Sequence, residues 1–80
     1  MKLYLLSQND VRGYDTYDSM VVCAESAETA IQIHPRGEWH NGMFRDNSWC
    51  QDPSDVTVEY LGEASDQVRP GIVCSSYHAG

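Results

Sequence analysis

Two stretches, Leu3-Tyr4-Leu5-Leu6 and Met20-Val21-Val22-Cys23, constrain this chain most, because each is apolar at consecutive positions. Successive side chains of a β-strand point to opposite faces, so such a run carries apolar groups on both sides of a sheet. Strands of that kind suit a central position with cover on each face. The first strand is expected over Lys2 to Gln8 and the second over Ser19 to Ala24. The polar stretch Asn9 to Tyr17 between them, with Gly13 in it, reads as a loop. Ser26 then has the character of a helix N-cap, with Glu25 and Glu28 close to the positive end of the helix dipole. Ala27, Ala30, Ile31 and His34 recur at helical spacing, Ile33 widens the stripe, and Pro35 with Gly37 ends it. A helix of about two turns holds only when it packs on something, so its expected role is to cover a sheet.

Arg36 to Ser54 reads as a long irregular segment that carries Trp39, Met43, Phe44 and Trp49. The third strand, Asp55 to Leu61, alternates: Val56, Val58 and Tyr60 on an inward face, Thr57 and Glu59 on an outward one. Gly62 to Pro70 is a polar connection, and Gly71 to Tyr77, containing Ile72-Val73-Cys74, is the fourth strand. The expected class is α+β, in the order β-β-α-β-β. It is an antiparallel sheet with one short helix on one face and a long aromatic-containing loop. Eighty residues make one domain, 1–80. One short helix cannot cover both faces of such a sheet. The second face is therefore expected to lie under the Arg36–Ser54 segment, a second copy or another protein, since large bare apolar patches are rare on soluble monomers.

Charge narrows the function classes. Twelve Asp and Glu stand against five Lys and Arg, a net charge of -7. The basic residues Lys2, Arg12, Arg36, Arg45 and Arg69 are scattered singly. Nucleic-acid binding needs clustered cations, so no direct nucleic-acid contact is expected. An acidic surface favours basic partners or solubility. No run approaches the length of a membrane span, and the apolar run near Met1 is too short for a signal-peptide core. Three cysteines, Cys23, Cys50 and Cys74, have no framework spacing and fit free thiols in a reducing, cytoplasmic compartment.

The residue types that carry chemistry do not form a motif. His34, His40, Cys50 and Cys74 lack the paired ligands that fix a zinc site, so no metal and no cofactor is expected. A thiol enzyme would use Cys50 as nucleophile, His40 as base and Asp46 or Asp52 to orient it. Cys23 and Cys74 lie inside apolar strands and read as core. The acid pairs Asp15 with Asp18 and Glu59 with Glu63 read as solvated side chains rather than an acid–base couple. Glycine-rich phosphate loops and the nucleophile elbow are missing. The expectation is accordingly a chain that is not an enzyme.

Recognition residues are more plausible on chemical grounds. Tyr14, Asp15, Tyr17 and Asp18 interleave rigid aromatic area with acids, a composition suited to protein contacts. Trp39, Phe44 and Trp49 are either a lid on the open face or anchors for a partner's pocket. Asp46, Asp52, Asp55, Glu59, Glu63 and Asp66 are the acids expected to meet a basic groove.

The blocks Tyr14-Asp15-Thr16-Tyr17-Asp18-Ser19, Val21-Val22-Cys23-Ala24-Glu25-Ser26, Ile33-His34-Pro35, Tyr60-Leu61-Gly62-Glu63-Ala64 and Ser75-Ser76-Tyr77-His78-Ala79-Gly80 carry a resemblance. The chain resembles a group of short uncharacterised proteins encoded by bacteriophages, prophages and bacteria. That likeness implies a phage or bacterial cytoplasmic origin and brings no catalytic residues with it. Small acidic phage proteins of mixed build also resemble anti-defence factors, including anti-CRISPR proteins, which plug basic channels of host complexes. The reading from sequence is thus a protein-binding factor aimed at a host protein with a basic surface. The alternatives are a small thiol or metal-dependent enzyme around His40 and Cys50, and a structural module that forms a homodimer through its sheet edge.

Overall fold

The computed structural model describes residues 1–8, 16–35, 37–38, 49–50 and 53–78. Four long strands form one antiparallel sheet: β1 (Lys2–Ser7), β2 (Thr16–Ala24), β5 (Thr57–Glu63) and β6 (Gly71–His78), in the order β5-β1-β2-β6. The two strands that are apolar on consecutive positions take the two central places. Their pairing is regular along its length, from Lys2 opposite Ala24 to Ser7 opposite Ser19. A central strand has neighbours on both edges and needs no charged guard, which is why such sequences settle there.

Alternation along β1 and β2 sends Tyr4, Leu6, Met20, Val22 and Ala24 to one face, where all are buried. Trp49, Cys50 and Ala30 complete this core, and Ala27, Ile31, Ile33 and Val56 pack against it. Leu3, Leu5 and Val21 point to the opposite face and are half-buried, with Cys23 fully buried beside them. Trp49 and Cys50 therefore lie on the same side of the sheet as the helix. The expectation that the 36–54 segment hides the other face is not met by these two residues, and the remainder of that segment, apart from Gly37, Glu38, Pro53 and Ser54, lies outside the described residues.

The class differs from the α+β expected. Among the described residues, helix is limited to α1 (Ala27–Ala30), a single turn, and a 3-10 turn at Pro53–Asp55, so the protein is nearly all-β. Ser26 does cap the helix: it is extended, at φ -152° and ψ 165°, and its Oγ accepts from the Thr29 N–H at 3.2 Å. The expected second turn fails because Pro35 disfavours helical geometry at His34, and Ile31 and Ile33 are stiff β-branched residues. The chain instead makes a two-residue ladder, β3 (Ile33–His34) with β4 (Gly37–Glu38). The apolar stripe still reaches the core, since Ala30 and His34 are fully buried.

Each edge strand meets its neighbour with an irregularity. On β5 the partners step from Gly62 opposite Leu3 to Tyr60 opposite Tyr4, leaving Leu61 as the extra residue of a bulge. On β6 they step from Ile72 opposite Val22 to Cys74 opposite Val21, leaving Val73 extra. Gly62, at φ 147°, adjoins the first bulge, and Gly71, at φ 118°, opens the second strand. Both conformations are ones that side chains rarely adopt, and bulges commonly recruit glycine for this reason.

Candidate functional site

The inward face expected for the third strand is aimed correctly but not covered. Tyr60 pairs with Tyr4 and Val58 with Leu6, so both point to the core side, and the Tyr4 and Tyr60 rings meet at 5.8 Å. Yet Tyr60 is 54% exposed and Val58 37%, with the single turn of α1 lying mainly over β2 and β1. Val56, before the strand, is partly buried against the core. Leu61, pushed out by the bulge, is 46% exposed. Glu59 and Glu63 are exposed on the same strand, and Glu63 ends it opposite Lys2. Apolar side chains and carboxylates thus share one open edge. Asp66 follows in the exposed turn after it, and Asp55 is exposed just before it.

The tyrosine–acid segment is placed differently from the loop expected. Thr16, Tyr17 and Asp18 belong to β2, which starts three residues earlier than its apolar run suggested. Tyr17 is half-buried and packs at a tilt against Tyr77 of β6, ring centroids 4.6 Å apart and planes 47° apart. Gln8 donates from Nε2 to the Tyr17 carbonyl at 2.9 Å, tying the end of β1 to the same spot. This cross-strand contact extends the strand, since paired aromatics stabilise an antiparallel ladder. Asp18 is exposed at the step in the β2–β6 pairing. Tyr14 and Asp15 lie outside the described residues.

Of the three central aromatics, Trp49 is fully buried and supplies core area, not a surface anchor. Its indole Nε1 is buried with no hydrogen-bond partner among the described residues. Trp39 and Phe44 lie outside the described residues, as do Asp46, Asp52 and His40. Cys50 is 1% exposed, which removes the access a nucleophilic thiol needs. Cys74, expected in the core, is exposed because β6 is an edge strand. Among the described residues no cluster of three His, Cys, Asp or Glu could hold a metal ion, and no helix is long and apolar enough to cross a membrane.

Sequence reasoning missed the exposed apolar residues Val58, Tyr60, Leu61, Ile72, Val73 and Tyr77. Alternation gives the face a side chain points to, and not whether anything covers that face. The one available signal was arithmetic: a short helix spans two strands of a four-stranded sheet and leaves the outer pair open. Comparison with protein-family models, with curated proteins and with solved structures finds no match, so the geometry of the two sheet edges is what there is to reason from.

Proposed function

We propose that the chain is a non-enzymatic protein-binding factor that docks through the β5 edge onto a basic surface of a host protein. The observation that supports this is one strand presenting Val58, Tyr60 and Leu61 exposed alongside the carboxylates of Glu59 and Glu63. An edge strand offers backbone groups to an extended partner segment, apolar side chains supply buried area, and acids select a basic partner. The likeness to short phage-encoded proteins makes a host defence complex, with its cationic nucleic-acid channel, the partner class of this proposal.

The test pairs purified chain with a defence complex whose channel is basic, and follows binding by calorimetry. Reversing two charges in the double variant Glu59→Lys, Glu63→Lys is expected to weaken binding at least tenfold, a loss of about 1.4 kcal/mol or more. Rising salt is expected to weaken the wild-type complex in the same direction. Binding that ignores both salt and charge reversal would refute the mechanism.

A further inference from the structure

We infer that the second edge, β6, is a self-association surface on which two copies of this chain pair antiparallel to make one continuous eight-stranded sheet. The inference does not rest on the β5 reading, since it concerns the opposite edge.

Long exposed edges are normally guarded by lysine, by proline or by charges that repel another strand. β6 has none of these: Gly-Ile-Val-Cys-Ser-Ser-Tyr-His contains no Asp, Glu, Lys or Arg, in a chain of net charge -7. Its pairing with β2 shifts register twice, at Asp18 of β2 and at the bulge on Val73, and Cys74, Ser75, Ser76 and Tyr77 run exposed along the outer edge. Ile72 is 41% and Val73 49% exposed beside them. Apolar area continues inward from this edge, where Leu5, Val21 and Cys74 line a shallow depression of about 140 Å³.

Charge identifies the occupant as a second copy. Antiparallel pairing of a strand with its own duplicate is two-fold symmetric, so residue i faces residue j of the copy and j faces i, and only residues near the axis meet their own copies. Pairing β5 with β5 would gather Glu59 and Glu63 of both copies along one seam, and like charges brought close across a ladder are destabilising. Pairing β6 with β6 brings serines, a thiol and apolar groups together with no repulsion. The neutral edge thus fits itself, whereas the acidic edge rejects itself. A two-fold axis near Ser75 and Ser76 also leaves both β5 edges at the far ends of the joined sheet.

Sedimentation equilibrium across a concentration series tests this with the full chain and the variants Ser75→Lys and Ser75→Glu. Ser75 is exposed, so either variant leaves the monomer's core intact. Wild type is expected to reach twice the 9.0 kDa chain mass, and both variants to stay at the single-chain mass with an unchanged far-ultraviolet spectrum. Either sign of charge works, because each meets its own copy near the axis. The thiol of Cys74 gives a second reading that needs no variant: its modification rate in wild type is expected to fall as concentration rises. The inference is overturned by a wild-type chain that stays single at every concentration. It is equally overturned by a dimer that survives both substitutions, by open-ended assemblies, or by a Cys74 rate independent of concentration.

Discussion

Trp49 shows how one side chain can be both the largest contributor to a core and a local liability. It is fully buried among Tyr4, Leu6, Met20 and Val22, and its indole N–H has no hydrogen-bond partner among the described residues. Truncation to alanine removes the packing, and Trp49→Ala is expected to destabilise the fold by about 3–5 kcal/mol. Trp49→Phe keeps most of the ring and deletes the unsatisfied donor, whose burial costs about 1–3 kcal/mol. Urea unfolding of the two variants should therefore separate them widely, with phenylalanine close to wild type. A phenylalanine variant as unstable as the alanine one would mean the N–H is satisfied after all. The sequence showed Trp49 as aromatic surface needing a home. It could not tell a lid from an anchor, because that depends on which side of the sheet residues far away in sequence leave open.

At the scale of elements, local chemistry was legible and extent was not. The N-cap Ser26, the apolar runs of β1 and β2, and the Pro70-Gly71 break before β6 each follow from backbone preference. The length of the helix does not, since a single turn survives only where it packs, and Pro35 decided its end. Nor does the β2 start at Thr16, where Tyr17 packs against Tyr77 sixty residues later. Bulges were equally hidden: Gly62 reads as the start of a polar connection and Gly71 as the start of the fourth strand, and neither reading marks the register shifts that occur on those strands. No atom lies within 4 Å of a side-chain carbon built on either glycine, so sterics are not the constraint there. Backbone strain alone predicts that Gly71→Ala costs about 1–3 kcal/mol, measurable as a lowered denaturation midpoint. An alanine variant as stable as wild type would show that the strand relaxes freely at its start.

For the whole molecule, the sheet order β5-β1-β2-β6 makes stability a shared property of both faces. Cys50 sits in the core under the helix, and Cys23 is buried on the opposite face by strand alternation. If the sheet unfolds as one unit, both thiols become reactive at the same free energy. Pulsed labelling of the two sites in graded urea is expected to give coincident transitions, with Cys74 already reactive before either in dilute protein. Separate transitions would show that one face opens independently. The edges matter for another reason, visible only with the order of synthesis in mind. The hairpin β1–β2 lies at the centre of the sheet, yet both flanking strands, β5 and β6, come later in the sequence. While the ribosome is still making residues 57–78, the greasiest ribbon of the protein stands bare along both sides. Chaperone dependence and loss to inclusion bodies should track how slowly those two strands arrive, more than how stable the finished sheet becomes.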